Sequence, residues 1–202
     1  MTALMGEGKE GLIFIVSAPA GTGKTTLVEK LLKEFSTVIA SISFTTRQPR
    51  GGEIPGVHYH FVSESEFEVK ISAGDFLEYV KLYGTYYGTS KQWIKEQQKK
   101  GKHVVLVIDT QGAIQLKERL NFDAVLIFIR PPSLDALRQR LTARQTETPE
   151  MIGQRIQWAQ FELEAAKQYD YQIINDDLET AYQVLRSILI AESHRVNNLS
   201  DQ

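Results

Sequence analysis

Short runs of apolar residues alternate along this 202-residue chain with stretches in which apolar positions return every three or four residues. The clearest runs cover residues 12–16, 104–108, 125–129 and 171–174. Each is brief, and only the last is interrupted, by Gln172, as expected of strands covered on both faces. Behind each lies a segment of helical spacing, at 24–34, 111–119, 133–142 and 178–192. Ser133 follows Pro131-Pro132, so the prolines stop a strand and the hydroxyl is placed to satisfy an orphan N–H of the next helix. Strand then helix, repeated, predicts an α/β fold with a mainly parallel five-stranded sheet flanked by helices.

The first run leads into Ser17-Ala18-Pro19-Ala20-Gly21-Thr22-Gly23-Lys24-Thr25-Thr26, a turn of small residues that opens a helix. Small residues let backbone N–H groups curl around a phosphate. Lys24 adds a point charge toward the β- and γ-phosphates, and the Thr25 hydroxyl can join a Mg²⁺ shell. The helix behind it aims the positive end of its dipole at the same anion. The pattern asks for glycine at its first position, where this chain has Ala18, a residue that resists positive φ. A chance Gly-Lys-Thr in a strand-to-helix turn is the competing reading, and the strand and helix on either side speak against it. The motif predicts a nucleoside-triphosphate site and is silent on any second substrate.

The texture changes twice. Glycines and prolines crowd residues 49–56, alternation follows at 58–62 and 76–83, and Tyr86-Tyr87-Gly88 has the composition of another short strand. A small mixed β insertion, mostly antiparallel and with one helix near 64–71, is expected there. From Arg138 to about Arg155 the chain is rich in arginine and glutamine and poor in apolar residues, and Thr148-Pro149-Glu150 opens a new helix with proline at its first position. No internal repeat or low-complexity tract is present, and residues 196–202 read as a frayed tail. A phosphate-binding core with two appendages suits phosphoryl transfer between two nucleotides, which needs two pockets and the exclusion of water.

Four constellations outside the phosphate loop carry chemistry. Ser43-Phe44-Thr45-Thr46-Arg47-Gln48-Pro49-Arg50 sets two guanidiniums three residues apart beside hydroxyls, a match to phosphate oxygens that Tyr59 and Tyr87 can extend. A solvated basic loop is the alternative. Phe76-Leu77-Glu78-Tyr79 places one carboxylate in an otherwise apolar strand. A carboxylate accepts at once from N1–H and the 2-amino group of guanine, a pair no other base offers on one edge, and Ser43 or Thr89 can donate to O6. An exposed strand glutamate is the alternative. The run at 104–108 leads to Asp109 at the carboxyl edge of a buried strand, where an acid faces Mg²⁺ in nucleotide-binding sheets, and Val107 alternates onto the same side. A helix N-cap role for Asp109 is compatible with that. Finally, Arg140 and Arg144 sit four apart, near Arg138 and one helix before Arg155. Like charges at that spacing repel, so an anion such as a transferring phosphoryl is expected to offset them. Pairing with Asp135, Glu147 or Glu150 on a solvated helix is the alternative.

Composition narrows the field. The chain is 42% hydrophobic and 24% charged, with a net charge of −2, so no global field draws it onto nucleic acid or anionic lipid. Cysteine is absent, which removes disulfides and thiolate–metal sites and fits a reducing compartment. The amino-terminal segment lacks the apolar core of a signal peptide, and the longest apolar run, residues 124–129, is far short of a membrane span. His58, His60, His103 and His194 are scattered and do not predict a zinc site.

These segments resemble guanylate kinase from about Gly11 to Glu192. The most specific matches are Ser-x-Thr-Thr-Arg-x-Pro-Arg from Ser43, Gly-x-Tyr-Tyr-Gly-Thr from Gly84, Ile-Asp-x-Gln-Gly from Ile108 and Asn-Asp-Asp from Asn175. The resemblance implies a P-loop kinase core with a helical lid, and phosphoryl transfer from MgATP to GMP. It implies that residues 1–42, 90–132 and 156–202 form the ATP-binding core, 43–89 the GMP-binding insertion and 133–155 the lid. Ser43, Glu78 and Thr89 would read guanine, with Asp109 near both base and metal. Arg47, Arg50, Tyr59 and Tyr87 would hold the GMP phosphate. Lys24 and the loop Ala18, Pro19, Ala20, Gly21, Thr22, Gly23, Thr25 and Thr26 would hold ATP phosphates. Asn175 would lie at the adenine edge, and Arg140, Arg144 and Arg155 would clamp from the lid. Mg²⁺ would rest on Thr25 and Asp109. Expected partners are the nucleotides alone, without nucleic acid or membrane, in a cytoplasmic monomer or weak homo-oligomer. The chain departs from the family at Val107, where a second aspartate is usual, at Gln145, where glycine is usual, and at Ala18. Two other classes remain open: a kinase-like scaffold domain that binds phosphopeptides, and a related kinase acting on another phosphorylated acceptor such as a ribosyl phosphate.

Overall fold

A computed structural model describes Met5 and residues 10–82, 84–120, 123–144 and 147–196. The first half of the chain gives β1 (Ile13–Ser17), α1 (Lys24–Glu34), β2 (Val38–Ala40), β3 (Phe44–Thr45), β4 (His60–Phe61), α2 (Glu64–Ser72), β5 (Phe76–Leu82) and β6 (Thr85–Ser90). The second half gives α3 (Lys91–Lys99), β7 (His103–Val107), α4 (Thr110–Leu120), β8 (Val125–Arg130), α5 (Leu134–Ala143), α6 (Pro149–Ala165), β9 (Tyr171–Ile174) and α7 (Leu178–Ser193).

The main sheet has five strands in the order β2-β7-β1-β8-β9, and its pairings are parallel. Parallel strands need crossovers that lay helices on both faces, so each central strand must be apolar on both sides. β1 is buried at all five positions. Its alternate residues feed two cores. Phe14 and Val16 join Leu27 and Leu31 of α1 and Leu185 and Leu189 of α7. Ile13 and Ile15 join Ile94 of α3 and Leu116 of α4 on the other face. The chain therefore leaves β1 toward one face and leaves its neighbour β7 toward the other. The crevice beyond their carboxyl ends is where an open α/β sheet takes its ligand.

The second sheet, β4-β3-β6-β5, belongs to the inserted segment. Its β3–β4 pair is parallel and its other pairs are antiparallel. The alternation at 58–62 yields only the two-residue strand β4, because the preceding residues spend their hydrogen bonds locally. Gly56 N–H donates to the Tyr59 carbonyl (2.8 Å), and Ile54 N–H donates to His58 Nδ1 (3.0 Å). The helix α2 opens on a reciprocal Ser63–Glu66 capping box. Three elements were not singled out by the apolar pattern: β2 is three residues long, β3 only two, and α3 buries only Ile94.

Past β8, Ser133 caps α5 by accepting from Ala136 N–H (3.0 Å). Thr148 does the same for α6 through Met151 N–H (3.3 Å), with Pro149 at the first helical position. Helices α5 and α6 bury a core of their own, Leu137, Leu141, Ile152, Ile156 and Ala159. Gln145 lies outside the described residues. No helix among the described residues is long and apolar enough to cross a membrane.

Candidate active site

The turn after β1 closes on itself. The Thr22 hydroxyl and backbone N–H both donate to the Pro19 carbonyl, which holds the loop open toward solvent on its other side. Left-handed backbone falls at Gly21 (φ 93°) and Gly23 (φ 88°), the latter capping α1. At both positions a side chain also lacks room. A Cβ on Gly21 would stand 2.9 Å from a methyl of Leu141, and one on Gly23 would stand 2.6 Å from Nδ2 of Asn175. Ala18 is buried (5% exposed) and the turn tolerates it because the positive φ angles lie elsewhere.

Asn175, at the end of β9, bolts this loop. Its Nδ2 donates to the Thr22 carbonyl (2.6 Å), and its own carbonyl accepts from Nη1 of Arg140 (2.9 Å). Arg140 Nη2 adds the Asp176 carbonyl (3.3 Å). Arg140 is thus held by backbone oxygens at the base of α5, while Arg144 is exposed at its end. Arg155 of α6 pairs with Glu147 at 2.8 Å, as the solvated-helix alternative allowed, yet it also lines the cleft above Lys24.

Two adjoining hollows of about 470 and 180 Å³ meet at Lys24, Tyr87 and Asp109. The larger runs from the phosphate loop to Arg50 and, on α6, to Arg155 and Trp158. The smaller is lined by Ser43, Tyr59 and Glu78, with Val107 at its side. Burial pushes the Lys24 ammonium below its ordinary value, against the pull of Glu162 and Asp109. Asp109 lies two residues beyond β7 and caps α4. Its Oδ1 accepts from Gln111 N–H (2.7 Å) and Gly112 N–H (3.1 Å), which leaves Oδ2 for a ligand.

Glu78 is 7% exposed, which excludes the exposed-strand reading. A bulge between Phe76 and Glu78 shifts the register of β5 against β6 and sets Glu78 opposite Thr89. The Thr89 hydroxyl, itself fully buried, donates to Oε1 of Glu78 at 2.6 Å. Thr89 therefore acts on the carboxylate and does not line the hollow. Burial raises Glu78 to about 7, with the Thr89 bond opposing and Asp109 reinforcing the shift. Gly112 has no side chain because a Cβ there would stand 2.9 Å from Glu78 Oε2.

Arg47 and Arg50 flank the same lobe. Arg47 stacks over the Tyr59 ring (5.3 Å) and makes a two-point ion pair with Glu53. The structure thus assembles most of the residues that the sequence proposed, but engages Arg47, Arg140 and Arg155 with protein acceptors.

Glu162 was not foreseen. It is 6% exposed on α6, lines both hollows and is raised to about 7, chiefly by burial and then by Asp109, against the pull of Lys24. Its signal was present: Ile152, Ile156, Ala159 and Glu162 form the buried stripe of α6, and a charge on such a stripe has to answer to something inside.

Comparison with known proteins gives one answer. The guanylate kinase family model matches residues 11–192. Guanylate kinase of Protochlamydia amoebophila is 66% identical over 194 residues, spanning 96% of this chain and 98% of the relative. That of Chlamydia muridarum is 50% identical over 187 residues, spanning 92% and 90%. The crystal structure of guanylate kinase from Anaplasma phagocytophilum matches with a TM-score of 0.78 at 33% identity, covering 95% of this chain and 90% of that one. A phosphate loop on the main sheet, a buried carboxylate in the inserted sheet and agreement along nearly the whole length place the chain in the guanylate kinase family.

Proposed function

We propose that the two hollows hold ATP and GMP and that the chain moves the γ-phosphoryl group from the first to the second, giving ADP and GDP. The observation that carries this reading is Glu78, a carboxylate buried at the floor of a hollow that opens onto Lys24. Such a group rejects bases without two adjacent donors, because they leave a desolvated charge without partners. A phosphopeptide-binding scaffold has no use for it, nor has a kinase whose acceptor lacks a base. The intact Lys24 loop and Arg155 also argue for catalysis over binding alone. The segments 43–89 and 133–155 serve in this reading as acceptor lobe and lid, and the remainder as donor core.

An oxygen of the GMP phosphate attacks the γ-phosphorus in line. The new O–P bond forms as the bond to the β-phosphate oxygen breaks, and the electron pair leaves on ADP. The nucleophile is already an anion, so no general base is needed, and positioning and charge neutralisation supply the rate. Ser43 and Glu78 fix the base. Arg47, Arg50, Tyr59 and Tyr87 fix the acceptor phosphate. Lys24 and the loop amides hold the donor, and Arg155 stands where equatorial charge develops. Lys24 is half-buried, and its partial removal from solvent strengthens its field there.

Mg²⁺ fits this site. The protein ligands that would hold it are few and hard: the exposed Thr25 hydroxyl and Oδ2 of Asp109. No group of three or more His, Asp or Glu side chains suited to a metal occurs among the described residues, which suits an ion held largely by phosphates and water. Bound with ATP, it would neutralise charge on the β- and γ-oxygens. Val107 lines the hollow beside Asp109 without a carboxylate. Val107→Asp is therefore expected to lower the half-saturating Mg²⁺ concentration by roughly tenfold; an unchanged value would mean that Asp109 and Thr25 suffice.

The reaction itself is tested by coupled ADP release with MgATP over a panel of AMP, CMP, UMP, GMP and ribose 5-phosphate. Turnover of GMP alone is expected. Turnover of the sugar phosphate, or of none, would sink the reading.

A further inference from the structure

The loop after β3 has little to hold it. Residues 48–52 are exposed, and only Arg47 and Glu53 at its ends are half-buried. The Glu53 carboxylate ties the loop together. Its Oε1 accepts from Nη2 of Arg47 (2.8 Å), and its Oε2 accepts from Nη1 of Arg47 (2.9 Å) and from the backbone N–H of Arg50 (2.7 Å). Nη1 also donates to the Gln48 carbonyl (2.8 Å). Both Nη1 protons are thus used, and one edge of the guanidinium is closed. The other edge, Nε with the second Nη2 proton, carries no carboxylate among the described residues. The flat face lies over Tyr59 and Phe61, and the Tyr87 hydroxyl is a hydrogen-bond partner of the same guanidinium, so a phosphate at that edge would meet both.

We infer that Glu53 is a positioning residue for the acceptor phosphate: it locks Arg47 by one edge so that the Nε–Nη2 edge stands ready for a phosphate, and it fixes the backbone of Arg50 in the same stroke. The inference rests on the reading of this lobe as the GMP site. The physical gain is preorganisation. An arginine side chain has many rotamers to lose, and a guanidinium already frozen does not charge that entropy to binding. The carboxylate remains ionised at working pH, since the Arg47 bond and the Arg50 N–H hold it down at about 2. Glu53 is also an anion near a site for anions, so it opposes the incoming phosphate by charge. Its role turns on which effect is larger, and the two-point geometry with the stacked rings favours locking.

Glu53→Gln keeps the shape but faces an amide N–H toward the guanidinium. In steady-state kinetics its KM for GMP is expected to rise about tenfold, with KM for ATP and kcat at saturating GMP little changed. In equilibrium binding, the preference for GMP over guanosine should fall by the same factor while guanosine itself binds as before. Glu53→Asp should restore part of the preference. In an Arg47→Met background, Glu53→Gln should have a much smaller effect, the remainder passing through the Arg50 N–H. A lower KM for GMP would show that Glu53 competes with the phosphate, and joint loss of guanosine and GMP would show a scaffold role. Either result, or an unchanged preference, overturns the inference. Wild-type protein that fails to bind GMP would instead defeat the functional reading beneath it.

Discussion

Lys24→Ala is expected to lower turnover by about a thousandfold, with GMP affinity preserved. The ammonium sits at the meeting point of the two hollows, and the structure gives it no fixed salt-bridge partner at contact distance among the described residues. Burial depresses its basicity, which is the mark of a charge kept in a poorly hydrated place. Such a charge acts strongly on whatever anion arrives, because little water screens it. Its removal should therefore appear in kcat, where charge on the transferred group peaks. The acceptor lobe is built from β3, β5 and β6 and does not depend on it. The check is single-turnover transfer beside calorimetric titration with GMP. Equal loss in both would mean that Lys24 serves the fold of the loop.

Glu78→Gln is expected to cut kcat/KM for GMP by about a hundredfold and to erode its advantage over AMP by more. A glutamine offers one acceptor and one donor, so it meets only one of guanine's two N–H groups and opposes the other. Adenine, with an acceptor at N1, fits the amide better. An unchanged GMP/AMP ratio would reject the role. The same residue sets a pH dependence. Because the carboxyl lies near 7 in the free protein and must ionise to accept two donors, GMP binding should release a proton around neutral pH. KM for GMP then rises as pH falls below 7, and the part due to Glu78 is absent from the glutamine variant. Stability moves the other way. With both Glu78 and Glu162 raised from 4.5 to about 7, the folded protein holds more protons than the unfolded chain between those values. The ligand-free protein should lose stability as pH climbs through that window. Removing one of the two groups should halve the slope, so the variant melts higher than wild type at pH 8 and similarly near pH 4.5. The site keeps a charge that the fold would be better without.

The core was legible because its signal is redundant. Strands β1, β7, β8 and β9 are short, mostly apolar runs, and α1, α4 and α7 bury their stripes against the sheet, while α5 after β8 packs on α6 instead. Spacing marked α6 correctly at Thr148-Pro149, since a proline can sit there only at a start. The edge strand β2 and the helix α3 escaped because each contributes so little apolar surface. Residues that sit in motifs can be named from the sequence as candidates, whereas contacts made through a second side chain cannot. Nothing in the spacing of Glu53 says that it grips Arg47, because the grip exists only once the loop has turned at Gly52 (φ 85°). Nor does sequence tell that Thr89 serves Glu78, a pairing that depends on a one-residue bulge. Asn175 is similar: its partner lies 153 residues away.

The two leucines that press on Gly21 have a mechanical consequence. Since Leu137 and Leu141 rest on the phosphate loop and Arg140 is anchored to the end of β9, the first helix of the basic arm is part of the donor cradle. The same leucines also pack against Ile152, Ile156 and Ala159, so α5 ties α6 to the turn after β1 through one shared core. Two side chains drawn from one cationic cluster are therefore moored differently, Arg140 on main-chain oxygens and Arg155 on the Glu147 carboxylate.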